Sequence, residues 1–482
     1  MEGSGVETRI QDLSEAELGE VHERTLAVLE RVGMRCDSAA GRRVLAEAGA
    51  RVDEETRMVR FPAELVERSL AAAPRWFSLG GRRSGWSHPL NEGAVTLLVD
   101  GGATATYDYT TRSLRSPTHG DWLAATRIHD ALDDVGVYWC ATEYPPDYDR
   151  PAGFVRYFSD VFATFGKHVQ DSFGTPELAP WLKEILDVVF GGRERVRDLR
   201  PFSFLITPAS PLTIERDFTD SWLALRDYGL PVAVMPMPLQ GATAPGSRLA
   251  TLLTANCETV GTLCLVQAAA PGTPVIYAPM IATMDPRTGL YAAGAVEEGV
   301  LSVAGTEMAR HYGLPVEAAG FCTRTFAPDM QTAWEKASGA LLATLSRPDI
   351  LVGPGMLGGA TILSLEQIVL DVEVSRLARQ ASAGVPVRDD LWLDDVLESV
   401  GPGGSFLGQR STRANARSGE WRLGDLGVYG SSEAWAADGS PSSLEYAHRR
   451  VAEILDRQQS LPYDDDVAAA LVKLEKRAAA DD

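Results

Sequence analysis

PFSFLIT, Pro201 to Thr207, is a short run that opens at proline, closes at threonine and is apolar apart from Ser203. A run of this kind reads as a strand buried on both faces and punctuated by turns. Working outward, PVAVMP (Pro231 to Pro236), PVIYA (Pro274 to Ala278), PVEAAG (Pro315 to Gly320) and DILVG (Asp349 to Gly353) follow it. HVQDS (His168 to Ser172) and VYWC (Val137 to Cys140) precede it. The seven starts lie 31, 33, 30, 43, 41 and 34 residues apart, and helix-like stretches fill the gaps. Strand and helix alternating in this way mean a parallel sheet with helical crossovers. AVTLLVD, Ala94 to Asp100, sits about one unit upstream and brings the count to eight. Eight such units in about 250 residues predict an α/β fold, the TIM (β/α)8 barrel, with its chemistry at the C-terminal ends of the strands.

The chain has 482 residues, more than one barrel needs, so additions at both ends are expected. Residues 1–92 read as an N-terminal α+β cap. Ser14 to Val32 carries helical spacing and a Ser14/Glu17 capping-box pair, Ala48 to Pro62 alternates around an acidic turn, and Glu64 to Ala73 is helical. The barrel takes 93–383, ending in the long helix Ser364 to Ala383. The remainder, 384–482, reads as a C-terminal helical extension packed on the barrel, with a glycine-rich loop from Gly401 to Gly408.

Sixty-six acidic against 45 basic residues give a net charge of -21, which argues against a nucleic-acid partner. Five cysteines form no CxxC pair and are odd in number, so a reducing cytoplasm is expected rather than a disulfide framework. The opening MEGSGVETRIQDLSEAEL lacks the apolar core of an ordinary secretory signal. The uncharged stretch Thr259 to Met284 is broken by Pro271, Gly272, Pro274 and Pro279, and so reads as a helix end, a turn and a strand, not a membrane span. The seven histidines are scattered, and no bound metal is expected.

Longer segments match a known family. HERTLAVLERVGMRCDSAAGRRVLAEAGARVDEETRMVRFPAELVERSLAAAP (His22 to Pro74), GATAPGSRLATLLTANCE (Gly241 to Glu258), PGTPVIYAP and MDPRTG (Pro271 to Pro279, Met284 to Gly289), APDMQTAWEKA (Ala327 to Ala337), SLEQIVLDVEVSR (Ser364 to Arg376) and VGPGGSFL (Val400 to Leu407) occur in order over about 380 residues. The chain thereby resembles the trimethylamine methyltransferase (MttB) superfamily, in its non-pyrrolysine branch of glycine betaine:corrinoid methyltransferase type. The resemblance implies methyl transfer from a small quaternary amine to the Co(I) corrinoid (cobalamin) of a separate corrinoid-binding protein, without pyrrolysine. It also implies that Asp329, Gln331 and Glu335, which match the family's D-x-Q-A-G-x-E, are catalytic. Thr332 and Ala333 depart from the usual Ala-Gly of that motif, Trp334 is a bulky neighbour of the glutamate, and Gln409, Arg410 and Ser411 stand where histidines are expected.

A quaternary ammonium is already cationic, so its leaving group is a neutral amine and the protein has only to position, desolvate and expose the methyl. Aromatic faces, a carboxylate for the cation and a donor for a substrate carboxylate meet that need. Trp139 and Tyr144, after the Val137 strand, are either walls of an aromatic cage or core. Trp334 is a further wall candidate. Arg287, inside MDPRTG, is either the carboxylate anchor or half of a loop salt bridge with Asp285, and Arg324 is its rival one loop later. Asp100 and Tyr107, on either side of Gly101 and Gly102, are weaker choices. Gln331 and Glu335 lie on one face of a helix start, which is also what a plain acidic helix turn gives.

Gly353, Gly355 and Gly358 spell GxGxxG after a strand. A dinucleotide fingerprint belongs in a first βα turn, so a late-strand barrel loop that receives a cofactor is the better reading. Two other functions stay open: the same barrel with a folate-like acceptor, and a non-catalytic betaine-binding or regulatory protein. A homo-oligomer is compatible with either.

Overall fold

The computed structural model describes residues 9–142, 147–419, 421–457 and 461–481. Eight parallel strands form its centre: β1 (Thr96–Leu98), β2 (Val135–Tyr138), β3 (His168–Asp171), β4 (Phe202–Ile206), β5 (Val232–Val234), β6 (Val275–Tyr277), β7 (Glu317–Ala319) and β8 (Ile350–Val352). Neighbours pair in chain order, β8 pairs back onto β1 through Leu351 and Leu97, and a bridge from Tyr277 to Val316 joins β6 to β7. The sheet is closed, and all eight apolar runs hold a strand. The strand at Val137 begins two residues earlier than its run and ends at Tyr138, so Trp139 and Cys140 fall in the following loop.

The crossover helices are α1 (His119–Ala131), α2 (Pro151–Thr164), α3 (Ala179–Phe190), α4 (Arg216–Leu225), α5 (Arg248–Ala269), α6 (Val296–Tyr312), α7 (Met330–Ser346) and α8 (Leu365–Ser382). By length and composition α5 is able to cross a membrane, yet 78% of its most apolar window is buried inside the protein. The N-terminal helices Glu15–Arg31, Ala39–Glu47 and Ala63–Ala72 all pack on it. The first of these starts at the Ser14/Glu17 capping box, as its sequence predicts. Helix Ser443–Arg457 packs on α8 and α1, and helix Asp465–Ala478 on α2 and α3.

A hairpin, Phe77–Gly80 with Ser87–Leu90, fills the N-terminal end of the barrel. Phe77, Leu79 and Leu90 pack there with Leu98, Val137, Leu205, Ala233, Ile276 and Ile350 from the strands. Only glycine fits at Gly81, where a Cβ would lie 2.6 Å from the Lys167 backbone. His168 secures the hairpin: Nδ1 meets the carbonyls of Gly80 and Arg200, and Nε2 lies 2.8 Å from Ser203 Oγ. Burial pushes its imidazole down to about 3, so it stays neutral and structural.

At the opposite end, α7 and α8 are tied beneath the loop after β8. Lys336 Nζ donates to Asp371 Oδ2 at 2.6 Å with both side chains buried, and Asp371 also accepts from Gly355 N and Gln367 Nε2. Lys336→Met strands that carboxylate and is expected to cost about 3–5 kcal/mol in urea unfolding. A loss under about 1 kcal/mol would contradict this role.

Candidate functional site

Side chains alternate along a strand, so the inward set of one layer predicts the next. Gln170 on β3 and Glu317 on β7 come from opposite walls of the barrel, are wholly buried, and meet with Gln170 Nε2 3.0 Å from Glu317 Oε2. The Oε1 atoms of both lack a hydrogen-bond partner among the described residues. Desolvation pushes the Glu317 carboxyl up to about 8, and the nearby Asp100 adds to the shift. Asp100 follows the inward Leu98 by two residues and rises to about 6 for the same reason, opposed by the Gly101 N–H at 2.9 Å and by Lys336. Trp139 occupies the matching inward place after Val137, with its ring against Gly101.

Outside this floor, the loops after β1, β2 and β3 enclose a cavity of about 630 Å³. Trp139, Tyr148, Tyr157, Phe173 and Phe218 supply aromatic walls, and Asp171 supplies a carboxylate. Tyr157 and Tyr148 stand edge to face at 4.9 Å. Tyr157 donates its hydroxyl to Asp171 Oδ2 at 2.6 Å, Ser172 N donates to Oδ1 at 2.8 Å, and Tyr148 donates to the Ser172 carbonyl at 3.0 Å. Burial raises Asp171 to about 6, so it is ionised at neutral pH. The Cys140 thiol donates to Thr142 O and is pushed up to about 12 by burial, which makes it a poor nucleophile.

On the β7 side Gln331 Nε2 donates to Glu335 Oε1 at 2.7 Å, and Glu335 Oε2 accepts from Thr323 Oγ1 at 2.6 Å and from Arg324 N at 3.2 Å. The two motif residues are thus brought together, and they hold the loop after β7. Asp329 is the N-cap of α7, accepting from Thr332 N at 2.9 Å. Thr332, a departure from the family motif, completes that capping box and also bonds Thr325 Oγ1. Glu298 on α6 accepts from Tyr291 OH and Gly294 N beside Cys322 and Glu335.

The other candidates scatter. Arg287 is 86% exposed and bound to Asp285, an ordinary loop salt bridge. Arg324 lies over the Phe326 ring at 5.8 Å, with no carboxylate partner among the described residues. Trp334 is 58% exposed and faces outward. Tyr144 lies outside the described residues. Gly353, Gly355 and Gly358 have φ of 119°, 94° and 60°, and their N–H groups already donate to Leu98 O, Asp371 Oδ2 and Thr325 O. The glycines serve tight turns and close packing, for a Cβ on Gly355 would meet Ile368 at 2.5 Å. They offer no free phosphate cradle. Among the described residues no cluster of three His, Cys, Asp or Glu side chains is arranged for a metal.

Sequence reasoning missed Gln170, Asp171, Glu317 and Glu298. For Glu317 the signal was present: one polar residue inside the otherwise apolar PVEAAG must find a partner in the barrel, whereas HVQDS is polar at four of its five positions and singles out neither Gln170 nor Asp171.

Residues 5–480 match the family described as trimethylamine methyltransferase (MTTB). The chain belongs to that family. Trimethylamine methyltransferase MttB of Desulfitobacterium hafniense is 29% identical to it over 462 residues, 95% of this chain and 92% of that protein. MttB1 of Methanosarcina acetivorans is 28% identical, with 96% and 94% covered. A glycine betaine methyltransferase of Desulfitobacterium hafniense strain Y51 is 26% identical over 460 residues, 95% of each chain. The crystal structure of Methanosarcina barkeri monomethylamine methyltransferase (MtmB) aligns with a TM-score of 0.47 at 11% identity, covering 96% of this chain and 92% of that one.

The buried Glu317 has a clear pH consequence. Its folded value of about 8 lies above the ordinary carboxyl value near 4.3, so in that window the folded protein holds a proton the unfolded chain does not. The stability from this group is therefore full below about pH 4.3 and lost as pH rises through about 8. Glu317→Gln is neutral throughout, and is expected to exceed the parent in stability at pH 9 by about 2 kcal/mol or more, with a smaller gap at pH 5. Urea unfolding at the two pH values checks it.

Proposed function

We propose that the protein moves a methyl group from a small quaternary amine of glycine betaine type to the Co(I) corrinoid of a partner protein in the cytoplasm. One observation carries the reading: a cavity at the barrel mouth that combines five aromatic walls with a carboxylate ionised at neutral pH. Aromatic faces attract a quaternary cation through their quadrupole, and Asp171 adds charge without offering a hydrogen bond the substrate would need to answer. The volume, about 630 Å³, falls in the range of small-molecule sites.

Within this reading the chain positions and desolvates. Trp139, Tyr148 and Tyr157 hold the trimethylammonium head, and Asp171, fixed by Tyr157 and Ser172, balances its charge. The reduced corrinoid, when bound, supplies the nucleophile. The methyl carbon leaves without its bonding pair, which stays on nitrogen as a neutral amine, so no acid is required at the breaking bond. Neither arginine candidate lines this cavity: Arg287 is paired with Asp285, and Arg324 stands in the loop after β7. Gln331 and Glu335 hold the loop that carries Arg324, a positioning role.

The test is to mix the protein with Co(I) cobalamin and a panel of quaternary amines and follow the cobalt spectrum. Conversion to methylcobalamin with at least one amine is expected, with Asp171→Asn raising KM about tenfold, equivalent to about 1.4 kcal/mol. Binding without cobalt methylation would favour a non-catalytic receptor, and methylation of a folate in its place would assign the other acceptor.

A further inference from the structure

The cavity around Asp171 has two carboxylates in its lining, Asp149 and Asp171, and among the described residues no lysine, arginine or histidine lines it. Asp149 stands exposed, without an ion-pair partner among the described residues. A third carboxylate, Asp100, directly precedes Gly101 of the wall. The nearby cations are elsewhere or taken. Arg150, next along the chain, is exposed and does not line the cavity. Lys336, which acts on Asp100, donates to Asp371 at 2.6 Å. The four residues between Thr142 and Asp147, EYPP, contain no basic side chain.

The hydrogen bonds of the lining point the same way. The hydroxyls of Tyr148 and Thr142 donate to the carbonyls of Ser172 and Ala103, and the Tyr157 hydroxyl donates to Asp171. The Cys140 thiol donates to Thr142 O, and the N–H groups of Gly102 and Ser172 donate to Cys140 O and Asp171. Each of these protons is committed inside the protein, while the hydroxyl oxygens keep lone pairs that accept. Among the lining side chains this leaves the Ser172 hydroxyl and the Trp139 indole N–H to donate, and both are neutral. A ligand carboxylate placed here meets like charge and finds no cation to offset its lost water. A ligand hydroxyl meets acceptors, with a charge-assisted bond on offer at Asp149.

We propose that the substrate of this cavity is a quaternary ammonium alcohol, a net cation whose uncharged arm donates a hydrogen bond, and that the carboxylate of a zwitterionic betaine counts against binding. The proposal rests on the cavity around Asp171 being the amine site, and adds what the rest of the substrate must be. The aromatic walls and Asp171 take the trimethylammonium head, and Asp149 receives the hydroxyl. The chemistry at nitrogen is unchanged: the methyl leaves for Co(I) without its bonding pair, which stays behind on a neutral dimethylamino alcohol. A net charge of -21 also favours the approach of a net cation over that of a zwitterion.

Calorimetry on the full chain at pH 8 with three probes tests this: choline, glycine betaine, and betaine amide, in which an amide replaces the carboxylate at nearly the same shape. Choline and betaine amide are each expected to bind about tenfold more tightly than glycine betaine, or better, because like charges brought together across a site are strongly disfavoured. Asp149→Arg, at an exposed position, is expected to keep the parent's circular dichroism spectrum and to shift the choline-to-betaine affinity ratio about tenfold toward betaine. Glycine betaine binding as tightly as choline and betaine amide, or an unchanged ratio in folded Asp149→Arg, would overturn the proposal and leave the cavity as an amine site. Binding of none of the three probes would overturn both the proposal and the site it rests on, so the two failures are told apart.

Discussion

The hairpin of Phe77–Gly80 and Ser87–Leu90 packs into one end of the barrel, and with the surrounding strands it buries the groups inside. The polar groups inside the barrel are shifted by that burial. At the hairpin end His168 is held neutral, pushed down to about 3 and bonded to two carbonyls and Ser203. One layer up, Glu317 keeps its proton to about 8 against Gln170. At the opposite end Asp100 falls back to about 6. All three are buried, so desolvation disfavours the charged form of each, and at Asp100 the Gly101 N–H and Lys336 offset part of that cost.

The mouth is built from loops, and each loop is fixed by a different device. The loop after β3 carries Asp171, whose oxygens are bound by Tyr157 and Ser172. The loop after β7 is held by Glu335 through Thr323 and Arg324 N, and α7 begins on the Asp329 cap. The loop after β8 turns on glycines whose N–H groups are spent internally, and the Lys336–Asp371 pair lies beneath it. These bonds cost the chain several buried polar groups. In return the aromatic walls at Trp139, Tyr148 and Tyr157 stand on a rigid frame, which a site that works by positioning requires.

The barrel was legible because parallel strands buried on both faces announce themselves as apolar runs, and because crossovers impose a regular spacing. One helix start was legible from its cap, at Ser14 with Glu17. The site was legible only in part. Trp139 read as either cage wall or core, and in the structure its ring both packs on the core and lines the cavity. Asp171 was passed over among the polar letters of HVQDS, and Glu317 because a single polar letter in an apolar run shows its burial only once the opposite wall is known. Glu317 answers to Gln170, 147 residues away. Arg287 read equally as an anchor or as half of a loop salt bridge with Asp285, and the structure has the salt bridge. The glycines of GxGxxG failed as a binding signature for a similar reason: the pattern records positive φ, and says nothing of whether the N–H groups are free.

The account stands on recognition of positive charge by the aromatic cavity around Asp171. Calorimetry comparing glycine betaine with 3,3-dimethylbutanoate, in which carbon replaces the quaternary nitrogen at the same shape, isolates that charge. The parent protein is predicted to bind betaine at least tenfold more tightly at pH 8, with Asp171→Asn removing most of the difference. Equal affinity for the cation and its neutral-headed isostere, in a folded parent protein, would contradict the account.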